Sequence, residues 1–520
     1  MRRRILLVIL AGIAGAGFLS ARPQSAAQLE TEGVQALDAK DFARAREIFS
    51  RLVKSDPSGK NVGYLAVAES GAGDLPPAIA DFKRSIQLGN DTTLTRYGLG
   101  TTYLRDNQPE AAIRELQLVV KRDPGYIAAR YALGTAFLGA GDPREAIPYL
   151  EAARQKTPNN PQVWISLVEA QFESGDSKAA LNLTDQALDS IPNAPILMEA
   201  LADLCLQHHQ MQKARRLLES AVEVQPSDPK IKLRFAHVCV ETGDPSEALT
   251  ALEGLLPESG KPGEVTLLRG EAHAESGDLV VARSDLDAAL AANPQDARYR
   301  LASAWLDEIE GRYDEALTTL SRVRSLDPKQ PGALYHIAVS DFLLRHYPQA
   351  ISSCEELIHL APRFDPAFLV LGLSRLRSGD AQGAEAAIRR AAVLAPDVAL
   401  YHRELGVALL KLGQWAKSQA ELDRAIALDP EATQAYYWRA KLRAHQHQRA
   451  KAIEDLEAAT TLDPKFLDAL ADLAELYAAA GETGKAAAAR TKLKELEKSG
   501  ESAPRQTERM YRKELVGPAP

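Results

Sequence analysis

Cysteine is almost missing: there are three in 520 residues, far too few for the disulfide framework that staples small extracellular folds. Cys205 and Cys239 stand 34 residues apart and Cys354 is remote from both. The chain has no Cys-x-x-Cys pair, no His-Glu-x-x-His run and no phosphate-cradling glycine loop. The usual ligands for metal, dithiol or nucleotide chemistry are therefore absent, and no cofactor or metal is expected. Aromatic residues make up only 6%, which disfavours a strand-rich fold. A net charge of −8 over this length leaves no long basic face, so nucleic acid is not an expected partner.

Long apolar runs are equally scarce. The first residues hold the longest, Ile5 to Leu19, preceded by Arg2, Arg3 and Arg4 and followed by Ser20-Ala21-Arg22-Pro23. It falls short of the about 20 apolar residues a membrane span needs. A basic start, a short apolar run and small residues beyond it match an export signal, with Ser25-Ala26-Ala27 placing the cut after Ala27. The alternative is an uncleaved N-terminal anchor. Residues 1–27 are read as one of these, which puts the chain in the periplasm or outside the cell, possibly held at the inner membrane. Contact with a membrane is expected only through that segment.

What the chain does have is a period. Pro124, Pro158, Pro192 and Pro226 are 34 residues apart, and Pro294, Pro328, Pro362, Pro396, Pro430 and Pro464 continue the series. Twelve residues before such prolines stands an alanine, as at Ala112, Ala146, Ala180, Ala214, Ala282 and Ala384, with Ser418 an exception. Twelve residues earlier comes a second small residue: Gly100, Gly134, Ala202, Gly270, Ala304, Ala338, Gly372, Gly406 or Ala440. Seven residues after that comes a glycine such as Gly141, Gly175, Gly243, Gly379 or Gly413. Small residues at fixed points let two helices approach closely, and the glycine supplies the left-handed turn between them. Asp142, Asp176, Asp244, Asp278 and Asp380 follow that turn and are expected to cap the second helix. One helix pair cannot bury its own apolar face, so neighbours must stack.

These markers resemble the tetratricopeptide repeat, whose period is also 34 residues. The resemblance covers nearly all of residues 28–500 and implies an all-α, right-handed superhelical solenoid of about fourteen helix–turn–helix repeats. Residues 501–520, polar and carrying Pro504 and Pro518, are expected to be a flexible tail. The repeat from Gly59 to Asp91 lacks its marker proline and is expected to be a weak joint.

The resemblance implies a concave groove lined by first helices, and carrying its positions over repeat by repeat assigns partner-binding residues. Glu169, Glu173, Glu199, Asp203, Glu241, Glu264, Glu271, Glu275 and Glu308 form an acidic stretch. Trp305, Tyr335, Phe342 and Leu369 form an apolar one, and Arg403 opens a basic one. Such a face suits other proteins, and its acidic stretch suits a partner that presents a basic segment. Asp307, Asp341 and Arg375 fall at a position that is normally core, which calls either for a ladder of ion pairs within the stack or for a face that is partly solvated there. The histidines at His208-His209 and His445-Gln446-His447 read as helix ends rather than metal ligands, and Cys205 and Cys239 as buried thiols.

No catalytic constellation is found. The expected function is a protein–protein interaction scaffold outside the cytoplasm, or alternatively a membrane-tethered assembly or secretion accessory factor. A far-ultraviolet spectrum should be helical throughout; a substantial sheet component would contradict this reading.

Overall fold

The computed structural model describes residues 25–256, 259–499 and 502–517. Among them are twenty-nine α-helices and no strand. They fall into two compact units that meet at Gln225–Pro226. In the first, α1 (Ala26–Asp38) pairs with α2 (Phe42–Ser55), α3 (Gly59–Ala72) with α4 (Leu75–Gln87) and α5 (Thr93–Arg105) with α6 (Pro109–Arg122). Then come α7 (Ile127–Gly139) with α8 (Pro143–Lys156), α9 (Pro161–Glu173) with α10 (Ser177–Ser190) and α11 (Pro195–Gln207) with α12 (Met211–Val224).

The second unit opens with α13 (Pro229–Glu241) and α14 (Pro245–Leu252), then α15 (Glu264–Glu275) and α16 (Leu279–Ala292). The next pairs are α17 (Ala297–Ile309) with α18 (Tyr313–Leu326), α19 (Pro331–Leu343) with α20 (Tyr347–Leu360) and α21 (Asp365–Arg377) with α22 (Ala381–Leu394). It continues with α23 (Ala399–Lys411) and α24 (Trp415–Leu428), α25 (Thr433–His445) and α26 (Arg449–Leu462), and α27 (Leu467–Ala479) and α28 (Thr483–Lys498). A last, unpaired helix follows, α29 (Ala503–Leu515).

The helix pair depends on one close approach. A Cβ built on Gly134 would lie 2.6 Å from the Leu150 side chain; on Gly100, 2.7 Å from Leu116; on Gly406, 2.7 Å from Leu422; on Gly270, 2.8 Å from Leu286. Each glycine thus seats a large side chain sixteen residues later in the same repeat. The alanines twelve residues after the small position, from Ala112 to Ala452, have no exposed surface at all. Ser418, which replaces one of them, is equally buried and gives its hydroxyl to the Gly406 carbonyl at 2.8 Å.

The turns follow from the same register. Gly141, Gly175, Gly243, Gly277, Gly311, Gly379, Gly413 and Gly481 take φ between 69° and 90°. Where glycine is lacking, Lys40, Asn107, His209, Arg345 and His447 are forced into the same region, at φ of 54° to 65°. His209 and His447 are therefore turn residues. Asp176, Asp278 and Asp380 cap as expected, each accepting a backbone N–H three residues on, at 2.9, 3.3 and 2.8 Å. Asp142 and Asp244 make no such bond; there a proline opens the helix with its φ already set.

Three expectations about local structure need correction. The repeat from Gly59 to Asp91 is complete, because a polar clasp replaces its marker proline. Ser85 Oγ donates to the Gly59 carbonyl at 2.6 Å and Asn90 Nδ2 donates to Ser85 Oγ at 2.9 Å. The irregular repeat is instead the one holding α14, which stops after 8 residues, followed by Gly254 at φ 74°. The third concerns the tail expected to be flexible over 501–520: residues 503–515 form α29, and Tyr511 and Leu515 are buried against the stack. Residues 1–24, with most of the expected export segment, lie outside the described residues. The expected cut after Ala27 falls inside the first turn of α1, whose capping box pairs Ser25 with Gln28.

Gly134→Ala should lower stability by about 1–3 kcal/mol through overpacking against Leu150. Gly484→Ala, in a helix with nothing within 4 Å of the new methyl, should be neutral or stabilise by up to about 1 kcal/mol. Thermal unfolding of both variants checks the contrast. Amide exchange should be fast in the segment after α14 and slow in α3 and α4; the reverse order would contradict the assignment of the weak joint.

Candidate functional site

Within each unit the first helices of successive repeats touch one another, as α7 does α9 and as α15, α17, α19, α21 and α23 do in sequence. They therefore form the inner face, and the expected binding residues lie on them. In the first unit Glu173 and Asp203 are exposed while Glu169 and Glu199 are partly buried. Burial, then the neighbouring Glu173 carboxylate, raises the pKa of Glu169. His208 Nε2 lies 3.6 Å from Glu173 and its ring stacks on Phe172.

In the second unit α13, α15 and α17 enclose a cavity of about 500 Å³. Its walls include Glu241, Glu264, Glu271, Arg298, Leu301 and Trp305. Burial pushes the Glu271 carboxyl up to about 8; Arg298 opposes this, and Glu275 and Glu241 add to it. Glu275 is pushed up to about 7, by burial and then by Asp244. Trp305 is 3% exposed and forms part of the apolar wall. The site thus combines a carboxyl that resists ionisation, Glu271, with an apolar wall.

Glu308 does not join this acidic group. It is fully buried, accepting from Ser340 Oγ at 2.6 Å and facing His336 Nδ1 at 2.6 Å. His336 and Ser340 are also fully buried, so this Ser–Glu–His cluster is closed to any substrate and serves the packing of α17 against α19. Nor do Asp307, Asp341 and Arg375 form a ladder. Asp307 pairs with Arg283 and Arg312, Asp341 with His346 and Arg375 with Glu355. Each charge is matched locally because nearer partners stand on adjoining helices and turns.

The remaining expected residues are brought together, but under a cover that sequence reasoning missed. Phe342 meets the Tyr511 ring edge-on at 5.3 Å between centroids. Arg377 donates to the Tyr511 hydroxyl at 3.1 Å and lies over its ring. Arg403 grips Glu514 with two hydrogen bonds, at 2.6 and 2.8 Å, and also bonds Glu404. Burial alone would lower the Arg403 pKa; Glu404 and Glu514 outweigh it and hold the guanidinium charged. Tyr335 gives its hydroxyl to the Leu515 carbonyl at 2.8 Å, satisfying an orphan acceptor at the helix end. Leu369 is 2% exposed, in the same cluster as Leu515. At the other end, Gln506 bonds both the Lys465 carbonyl and the Leu467 N–H. Burial of Leu515 alone contributes about 1.5–3 kcal/mol. The signal that could have found α29 was its spacing, Tyr511 and Leu515 four apart after a proline near the helix start.

Cys205, Cys239 and Cys354 are buried and none of them is in a disulfide. Among the described residues, no group of three or more His, Cys, Asp or Glu is placed to hold a metal ion, and no helix is long and apolar enough to cross a membrane.

Comparison with known proteins gives one family throughout. Models described as tetratricopeptide repeat match residues 97–161, 137–204, 206–271, 267–331, 335–399, 399–432 and 433–466. No curated protein matches. Among solved structures, the chain is similar to one titled as an APC/C hetero-tetramer, Cut9-Hcn1, at 14% identity and TM-score 0.47, covering 88% of this chain and 97% of that one. The C-terminal part of a TPR repeat-containing protein from Cytophaga hutchinsonii is 19% identical, at TM-score 0.37, over 52% of this chain and 98% of that one. The protein MamA is 22% identical, at TM-score 0.30, over 32% of this chain and 91% of that one.

The raised Glu271 pKa makes stability depend on pH. The folded state keeps a proton that the unfolded state loses near pH 4.5, so stability should fall as pH rises from about 4.5 through about 8. Glu271→Gln should make the fall in melting temperature over that window shallower, leaving the share due to Glu275. An unchanged pH dependence in the variant would place the titrating group elsewhere.

Proposed function

The chain belongs to the tetratricopeptide repeat family and is a protein–protein interaction scaffold, and we propose that it works outside the cytoplasm and takes a basic segment of its partner into the cavity beside Trp305. The observation that carries this reading is the Trp305 cavity. It offers the Glu271 carboxyl, held toward its neutral form by burial, and an apolar wall for a lysine or arginine stem. A basic side chain would restore the ionised form of Glu271. Glu169, Glu173, Glu199 and Asp203 in the first unit offer further acidic surface of the same kind. The net charge of −8 favours protein over nucleic acid as the partner.

Export rests on Arg2–Arg4 and the run from Ile5 to Leu19. If that segment stays uncleaved, the same scaffold would be a membrane-tethered assembly or secretion accessory factor. N-terminal sequencing of the chain from an envelope fraction separates the two: a start near Ser25 supports release, a start at Met1 supports the anchor.

Affinity capture from the same fraction, followed by association kinetics with the natural partner, tests the groove. The pair Glu241→Lys and Glu271→Gln should lower the on-rate several-fold at low salt. The difference should shrink beyond about 0.1 M, where screening reaches about 10 Å. Affinity should rise as pH passes from about 6 to above 8, since binding expels the Glu271 proton. Binding that ignores both the variant and pH would mean that the acidic cavity is not the partner's site.

A further inference from the structure

We propose that the groove formed by α19, α21 and α23 is a helix-binding site with an exchangeable occupant. Its own segment 502–517 covers it, and its partner is a helix of the same chemistry: a tyrosine and a leucine four residues apart with a carboxylate between them. The inference rests on the scaffold reading above but concerns a different face from the Trp305 cavity.

The contacts are specific. Arg403 grips the Glu514 carboxylate with both terminal nitrogens, and Arg377 and Phe342 frame the Tyr511 ring. Bidentate guanidinium–carboxylate geometry selects an acidic residue at that point of a ligand. The Tyr335 hydroxyl takes the Leu515 carbonyl, so it marks where a bound helix must end and in which direction it must run. A ligand with a basic residue in place of Glu514 would leave Arg403 facing like charge.

The fit is nevertheless incomplete, as expected of a cover that can leave. A cavity of about 720 Å³ lies beside α29 along Arg403, Phe466, Met510 and Glu514, and another of about 400 Å³ lies along Phe342, Tyr347 and Tyr511. Of the side chains described in α29, only Tyr511 and Leu515 are buried. A 13-residue helix is marginal by itself in water, and this one is unpaired, so its order depends on the groove. Val516 packs on the cluster that contains Trp305, so departure of the segment would also remove part of that cluster's cover.

The test uses the full chain and a fluorescently labelled peptide of residues 502–517. Tyr511→Ala with Leu515→Ala in the protein should loosen the cover while leaving the helix pairs intact, as judged by helicity and melting temperature. The labelled peptide should then bind this variant at least tenfold more tightly than the unaltered chain. Peptides carrying Tyr511→Ala or Glu514→Lys should lose that binding. Failure of the wild-type peptide to bind the loosened variant would overturn the proposal, as would equal binding to both proteins. In the unaltered chain, amides of α29 should exchange faster than those of α21; equal protection would also overturn it. A concentration-dependent dimer that excludes the peptide would overturn it in favour of a second copy as occupant. If the peptide fails while the natural partner still binds in the charge- and pH-dependent manner above, only this proposal falls; if that dependence fails too, the scaffold reading of the cavity falls with it.

Discussion

A missing side chain governs this fold. At Gly100, Gly134, Gly270 and Gly406 the space for a Cβ is already taken by a leucine sixteen residues further on, so in these repeats the two helices can close only if that position stays small. Everything else follows from that approach. The closed pair buries the alanine of the second helix completely, leaves its outer apolar stripe uncovered, and so demands a neighbouring repeat. The turn glycines have the same cause, since a helix that must fold back so tightly ends in the left-handed region. The array is a local solution repeated, and its contacts run between adjacent helices.

Stacking of this kind leaves the first helices with one face turned inward and little to cover it. The second unit handles that face in two ways. Around α15 and α17 it remains an open cavity in which burial drives the Glu271 carboxyl toward the neutral form. Around α19 to α23 it is covered by α29, which brings a tyrosine, a glutamate and a leucine to Phe342, Arg403 and Tyr335. The two regions therefore present different contacts, a buried carboxyl in one and a guanidinium that takes a single carboxylate in the other.

The repeat architecture was legible because its determinants are periodic: proline, alanine and glycine recur at fixed offsets, and each has one physical role. The inner face was legible only as a position in the repeat. Glu241, Glu264, Glu271 and Trp305 do line one cavity, whereas Glu308 stands at the repeat position of Val240 and Ala274, both buried, and turns into the stack to meet His336 and Ser340. The inward turn of that position was legible in its apolar equivalents; the two partners it finds were not signalled by the period. Pairings far apart in sequence were out of reach for the same reason. Tyr335 and Leu515 are 180 residues apart, and the tail that carries Leu515 is polar enough to read as unstructured. The shortening of α14 at Gly254 was likewise hidden, because the register resumes unchanged after it.

The central claim is that the inner face of the second unit is covered by the chain's own last helix. The native cysteines are buried, so spin labels can be directed to cysteines introduced at two exposed sites, Lys513 on α29 and Lys411 on α23. Their distance distribution in the unliganded chain should be single and narrow, as for a helix seated on α19, α21 and α23. A broad distribution like that of an untethered tail would contradict the account.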